Sequence, residues 1–242
     1  MAADVLQVSA LRRFVLLMLP VYLAACISSQ PFPQGILEAQ PKPTPLVRAP
    51  KVGQEWVYQV RNVFNQEIVD TVTEKVVSVG NEVRIARTSL KMGSLPDEIQ
   101  SPWGFVIQDP HWKPTQKFSK PIPLWPLQLQ TGWNEFFTTQ YQVPSYPDGS
   151  YYWGLGMTAS QWERITTPAG QFVVLRIHNE MPYFISNDLF RVSNERQEDL
   201  WFAPEIGRWV IRRSSGRYIT SGVYWADAYW EDYLEWELIS WK

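Results

Sequence analysis

Residues 66–90 read QEIVDTVTEKVVSVGNEVRIARTSL, and this stretch decides the fold class. Its first half is rich in β-branched side chains, which favour strands. Gly80 and Asn81 then supply a two-residue turn signal. After the turn, Val83 and Ile85 alternate with side chains that would lie on the opposite face. The stretch therefore predicts a β-hairpin.

The same pattern recurs along the chain. Residues 160–178 are divided by Pro168-Ala169-Gly170, and residues 199–213 by a Pro and Gly turn. Residues 229–241 alternate throughout, which predicts a final long strand. No long segment shows a helical period, so we expect an all-β fold with an antiparallel curved sheet, arranged as a half-barrel or a sandwich.

The middle of the sequence, residues 93–133, departs from this pattern. It contains seven prolines and four tryptophans. Because Pro cannot donate a ladder hydrogen bond, we expect long loops or short edge strands around aromatic anchors here. We find no internal repeat, and residues 53–242 are predicted to form a single β domain.

The N-terminus carries a targeting signal. Arg12 and Arg13 precede a ten-residue apolar run at 14–23, which is too short to span a bilayer and suits a signal peptide. The run ends in Leu-Ala-Ala-Cys26, which is similar to the lipobox of bacterial lipoproteins. The resemblance implies cleavage of a signal peptide at 1–25 and lipidation of Cys26. Ile27, rather than Asp, follows the Cys, which in that family favours the outer membrane.

Residues 26–52 are predicted to be the lipidated Cys and a Pro-rich linker. Six prolines fall in this segment, which excludes a helix or a central strand. A semi-extended tether would hold the domain away from the membrane. The alternative is an arm that packs along the domain.

Composition excludes several classes of protein. The chain of 242 residues is 45% hydrophobic and 19% charged, which is too apolar for a disordered protein. The net charge of −2 argues against a nucleic-acid partner. One Cys excludes an intrachain disulfide, and two His argue against a zinc site. No catalytic or phosphate-binding motif is present, so we expect no enzyme activity and no cofactor.

Charged residues cluster near the C-terminus. An acidic run follows a group of arginines, and cross-strand ion pairs on a solvated face are the simplest interpretation. The members are Arg208, Arg212, Arg213, Arg217, Asp227, Glu231, Asp232, Glu235 and Glu237. Paired carboxylates of a glycoside hydrolase and an anionic headgroup site on the arginines are the alternatives.

Three blocks resemble uncharacterised proteobacterial envelope proteins. They are GQEWVY at 53–58, TPAGQF at 167–172 and WFAPEIG at 201–207. The resemblance implies a curved antiparallel sheet or half-barrel, broadly similar to periplasmic lipoprotein carriers. It implies no catalytic residue.

Thirteen tryptophans are the remaining functional signal. They can form a bulky core or line an aromatic groove. Trp103, Trp112 and Trp125 are the candidate ligand-binding residues, since they lie among prolines without periodicity. We expect a non-enzymatic protein, anchored to the outer membrane and facing the periplasm. It would bind a lipid or other apolar envelope ligand, or an envelope protein partner. The alternatives are a glycan-binding module that uses exposed Trp, and an envelope enzyme.

Overall fold

The computed structural model describes residues 35–144, 146–183, 191–221 and 226–242. The predicted all-β fold is confirmed. The strands are β1 Ile36–Glu38, β2 Glu55–Asn62, β3 Ile68–Ser78, β4 Val83–Ser89, β5 Gly93–Gln100, β6 Phe105–Asp109, β7 Gln116–Pro123, β8 Asn134–Val143, β9 Tyr146–Thr167, β10 Gly170–Tyr183, β11 Arg191–Ala203, β12 Arg208–Ser221, β13 Ala226–Trp230 and β14 Leu234–Trp241.

Helical structure is scarce in these ranges. A 3₁₀ turn at Pro204–Ile206 joins β11 to β12, and Gly207 ends it in the left-handed conformation. Within the described ranges, no helix has the length and apolar character needed to cross a membrane.

Twelve strands form a closed antiparallel ring. The strands from β2 to β12 pair in sequence order, and β14 lies between β12 and β2 and closes the ring. β1 pairs with β9 beyond the part of β9 that β8 covers, and β13 pairs with the far end of β12. Closure leaves few free edges on the ring, which is how antiparallel sheets avoid edge-to-edge association.

The predicted hairpins occur where the turn signals place them. β3 pairs with β4, β9 with β10, and β11 with β12, all antiparallel. The connection between β3 and β4 is longer than a two-residue turn, because β3 ends at Ser78 and β4 begins at Val83. An irregularity between Val76 and Ser78 adds a residue on the β3 side.

Large side chains fill the interior of the ring. Trp56, Tyr58 and Val60 point inward from β2, as their alternation predicts. Trp153 and Trp209 are also fully buried, and Trp209 stacks on Tyr58. A ring of twelve strands encloses more space than one of eight, whose interior ordinary side chains fill. Bulky residues are therefore needed in the core, which accounts for most of the unusual Trp content.

Two segments differ from the sequence-based expectation. Residues 93–133 include β5, β6 and β7, which are consecutive members of the ring and not edge strands. The predicted strand at 229–241 is divided into β13 and β14. Between the two strands lies Glu231, whose carboxylate accepts hydrogen bonds from Arg196 and Tyr183.

The described part of the Pro-rich segment lies against the domain. β1 forms within it, and the backbone N–H of Arg48 donates to the carbonyl of Pro204 at 2.8 Å. The indole Nε1 of Trp103 donates to the carbonyl of Arg48 at 3.0 Å. Residues 35–52 therefore follow the packed-arm alternative. The predicted signal peptide at 1–25 and Cys26 lie outside the described residues.

Candidate ligand-binding cavity

A buried ionic cluster lies inside the ring. Arg208 on β12 donates to Glu74 on β3 and to Glu98 on β5, with shortest distances of 2.6 Å to each carboxylate. These three side chains are 0%, 0% and 1% exposed. Arg87 on β4 also donates to Glu74, at 3.1 Å. Each of these charged residues faces inward on its own strand. Closure of the ring therefore brings their charges together.

His111 completes the cluster from the connection between β6 and β7. Its Nε2 lies 2.8 Å from Oε1 of Glu74, and its Nδ1 lies 2.9 Å from Oδ1 of Asp109. Both ring nitrogens therefore face a carboxylate, which accepts hydrogen bonds when it is ionised.

Two of the buried carboxyl groups, those of Glu74 and Asp109, have lowered pKa values. Burial alone would raise the pKa of the Glu74 carboxyl, but the charges of Arg208 and His111 outweigh it and hold that pKa well below its usual range. Burial opposes ionisation of Asp109 as well, and the hydrogen bond and charge of His111 lower its pKa nonetheless. Each of these two carboxylates therefore has a hydrogen-bonding partner within the cluster.

One trio within the cluster has the spacing of metal ligands. The ligand atoms of Glu74, Glu98 and His111 lie within 4.8 Å of one another. However, Arg208 and Arg87 donate to the same carboxylates, so a bound cation would face two guanidinium groups. The donor set fits ion pairs with arginine better than a metal site.

Beside the cluster lies a cavity of about 510 Å³. Strands β2 to β5, β14 and the β6–β7 connection form its walls, and His111 and Arg87 lie where it meets the ionic cluster. Arg87 also donates to the carbonyl of Pro110 at 3.2 Å, which fastens this connection over the cavity. The apolar lining residues are Val60, Val69, Val72, Met92, Leu95, Pro96, Pro110, Trp112, Pro114, Leu234 and Trp236.

Polar groups also line the cavity. Lys91, Lys113 and Asp232 are exposed lining residues. Asp70 lines it too, and its carboxylate accepts from the hydroxyl of Ser89 at 2.5 Å. The cavity therefore combines mostly apolar walls with charged groups open to solvent, an arrangement that suits an amphipathic molecule.

The structure separates the three candidate tryptophans. Trp112 is buried and lines the cavity, with the guanidinium of Arg196 4.4 Å from its ring centroid. Trp103 and Trp125 lie elsewhere and contact each other edge to face at 5.6 Å. Trp125 also stacks on Phe202 at 4.7 Å, next to the Pro-rich arm. Trp236 was not among the candidates; alternation places it on one face with Leu234 and Leu238, and ring closure brings that face to the cavity.

The expected pairing of the arginines with the acidic run is largely wrong. Arg213 does pair with Glu235 across β12 and β14. The other three arginines pair with residues outside the run, Arg208 as described, Arg212 with Glu198 and Arg217 with Glu195. Arg208, Arg212 and Arg213 are also buried, at 0%, 4% and 6% exposure, and do not lie on a solvated face.

Comparison with known proteins identifies the fold. No protein-family model and no curated protein matches the chain. A candidate lipoprotein of Parabacteroides distasonis has a TM-score of 0.53 at 12% identity, covering 79% of this chain and 96% of that chain. At this identity the likeness shows a shared fold alone.

Two further solved structures are similar at lower scores. A candidate exported protein of Bacteroides fragilis with a YmcC-like fold has a TM-score of 0.49 at 12% identity, covering 82% of this chain and 99% of that chain. The hypothetical lipoprotein YmcC of Escherichia coli has a TM-score of 0.43 at 9% identity, covering 77% of this chain and 84% of that chain.

Proposed function

We propose that this protein is a lipid-anchored, non-enzymatic protein of the bacterial envelope that binds an apolar or amphipathic ligand in the cavity beside the ionic cluster. The observation that carries the proposal is the cavity itself. Its volume of about 510 Å³ falls in the range of ~300–1,000 Å³ that is usual for ligand pockets. Most of its lining side chains are apolar, and Trp112 and Trp236 provide large flat surfaces.

The sequence at Cys26 supports the anchor. The apolar run and the Leu-Ala-Ala-Cys26 motif have the order of a lipoprotein signal. A thioether-linked diacylglycerol and an amide-linked chain would together hold the protein stably, since stable anchoring takes more than one chain. Ile27 after the Cys favours the outer membrane, and we propose that the domain faces the periplasm. The Parabacteroides protein with the same fold is itself named as a candidate lipoprotein.

The chemistry of the cavity supports binding rather than catalysis. His111 is the residue of the lining best suited to proton transfer, but its side chain is 3% exposed and both nitrogens face carboxylates. Glu74 is fully buried behind it and paired with arginine. Because these groups are hydrogen-bonded to one another, they are poorly placed to exchange a proton with a ligand.

A binding experiment tests the cavity. Wild-type protein is titrated with the apolar fluorophore N-phenyl-1-naphthylamine, followed by displacement with a single-chain lysophospholipid. Leu95→Trp fills part of the cavity and should weaken probe binding by about tenfold, or about 1.4 kcal/mol. Leu90→Trp is the matched control, because Leu90 is 80% exposed and does not line the cavity. Absence of binding by the wild type, or equal binding by both variants, would contradict the proposal.

A second experiment tests the anchor independently. Cells that express the wild-type chain should incorporate radiolabelled palmitate into it, and Cys26→Ser should remain unlabelled and uncleaved. Fractionation should place the labelled protein with the outer membrane. Normal labelling of the Cys26→Ser variant would exclude lipidation at this residue, without bearing on the cavity.

A further inference from the structure

A second concave site lies outside the proposed cavity, where β11, β12 and β13 run side by side. Its volume is about 170 Å³, and it is lined by Glu195, Gln197, Ser215, Gly216, Arg217 and Trp230. The strand register explains why these lining residues lie together. Glu195 lies opposite Arg217, and Arg217 lies opposite Trp230, so these three side chains share one face of the three-stranded sheet.

The indole of Trp230 is unusually exposed. It is 69% exposed, whereas seven other tryptophans in the described ranges are buried in the core. An exposed indole adds nothing to core packing, and Trp is a residue that is enriched at recognition sites.

The backbone beneath this indole is firmly held. The N–H of Glu231 donates to the carbonyl of Gly216 at 2.8 Å. The Glu231 carboxylate accepts from Arg196 at 2.7 Å and from the hydroxyl of Tyr183 at 2.9 Å. Gly216 leaves the room for this contact, since a Cβ there would lie 2.5 Å from a Glu231 oxygen. The indole of Trp230 therefore projects from a strand end whose backbone is held in place by hydrogen bonds.

The polar groups beside the ring are complementary to hydroxyl groups. Arg217 donates to Glu195 from Nε at 2.9 Å and from Nη2 at 2.5 Å, and these side chains remain 59% and 33% exposed. The guanidinium keeps further N–H donors and the carboxylate keeps further acceptor positions. Gln197 and Ser215 add an amide and a hydroxyl to the lining. The ion pair leaves the site without net charge.

From this arrangement we propose that the groove binds a neutral sugar ring of a glycan. The apolar C–H face of the ring stacks on Trp230, and its hydroxyls exchange hydrogen bonds with Arg217, Glu195 and Gln197. The closed ion pair favours an uncharged sugar over an acidic or basic one. This activity is additional to ligand binding in the cavity and does not depend on it.

The size of the groove favours a sugar over a protein partner. A stable protein interface buries about 1,200–2,000 Å² and has an apolar centre. Here one aromatic ring borders a shallow site of about 170 Å³ whose other side chains are polar. A single ring with several hydroxyls matches both the volume and the donors and acceptors.

Affinity electrophoresis in native gels tests the proposal. The probes are dextran, amylose, xylan and galactomannan, each cast into a gel at increasing concentration. At least one should retard the wild-type protein, and Trp230→Ala should raise the apparent Kd about tenfold. Trp230→Phe should retain part of the binding, because it keeps an aromatic face. Arg217→Ala should weaken binding as well, since it removes hydroxyl-bonding donors.

The matched control is Phe64→Ala, which removes another exposed aromatic ring, at 68% exposure, from the β2–β3 connection. It should be retarded like the wild type. Failure of all four polysaccharides to retard the wild type would overturn the proposal, as would equal retardation of Trp230→Ala. Cross-linking of a protein partner through Trp230 without any glycan retardation would also overturn it. Binding of N-phenyl-1-naphthylamine should be unchanged in Trp230→Ala, which keeps this test separate from that of the cavity.

Discussion

Arg208 donates from Nε and Nη2 to the same carboxylate oxygen of Glu74, at 3.1 and 2.6 Å, although the two residues lie 134 positions apart in the sequence. Both side chains are fully buried. The guanidinium also lies 3.8 Å from the ring centroid of Trp209, which covers one of its faces. The pair links β3 to β12 across the interior and forms the centre of the ionic cluster.

Breaking this pair should strongly destabilise the fold. Arg208→Met keeps most of the side-chain volume but leaves the carboxylates of Glu74 and Glu98 buried with fewer partners. We expect a loss of about 3–5 kcal/mol in the free energy of unfolding, measured by urea denaturation. Arg217→Met is the control on the same strand, because its exposed pair with Glu195 should contribute under about 1 kcal/mol. Equal losses in the two variants would contradict this interpretation.

Acid should weaken the fold through the same cluster. The pKa values of Glu74 and Asp109 are lowered in the folded protein, so the stability that they contribute is present above their unfolded values of about 4. That contribution is lost as the pH falls through the folded values. Urea midpoints are measured at pH 7, 5, 4 and 3. Above pH 5 these two groups should leave the midpoint nearly constant, and below pH 4 the midpoint should fall. Asp109→Asn should show a shallower acid dependence, and an identical slope in this variant would count against the assignment.

His178 should titrate above its ordinary value. Its hydrogen bond with Asp199, at 3.2 Å, raises the pKa of the imidazole above 6.5 and outweighs burial. The associated stability is complete below about pH 6.5 and is lost as the pH rises through the folded pKa. NMR titration of the imidazole C–H protons measures this directly, and the chain has one other His to distinguish. In Asp199→Asn the pKa should return towards 6.5; an unchanged titration would show that another group raises it.

Gly207 should tolerate substitution poorly. Its φ is +64°, and a Cβ there would lie 2.7 Å from the carbonyl oxygen of Arg48. Gly207→Ala should therefore lower the free energy of unfolding by about 1–3 kcal/mol and make the arm at 35–52 more susceptible to protease. Gly53→Ala is the matched control, since Gly53 also has a positive φ but no atom within 4 Å of its Cβ position. A similar loss in the free energy of unfolding in both variants would indicate that backbone strain, and not the clash with Arg48, limits substitution at Gly207.

Local signals in the sequence predicted the hairpins well. The turn at 168–170 and the Pro and Gly turn before Arg208 act over a few residues, and alternation at Trp56, Tyr58 and Val60 reports which face is buried. Signals of this kind need no information about distant strands. Glu231 shows their limit, because the alternation continues through it although β13 ends at Trp230, and its partners Arg196 and Tyr183 lie elsewhere in the chain.

The candidate sites depended on distant contacts. Trp103, Trp112 and Trp125 look alike in the sequence, yet the structure places Trp112 in the cavity wall and pairs the other two near the arm. Arg208 and Arg217 also look alike, and one is buried while the other is exposed. An ionic side chain can enter the core when its partners are already there, and the sequence does not show which partners meet.

Strand character, the hairpins and the lipoprotein-like signal at Cys26 can be read from the sequence, because alternation, turn chemistry and a short motif are local properties of the chain. The closing of twelve strands into a ring, with β14 joining β12 to β2, is visible only in the folded protein. Closure depends on pairings between segments far apart in sequence. It places Glu74, Glu98 and Arg208 together inside, and leaves the cavity and Trp230 open to solvent.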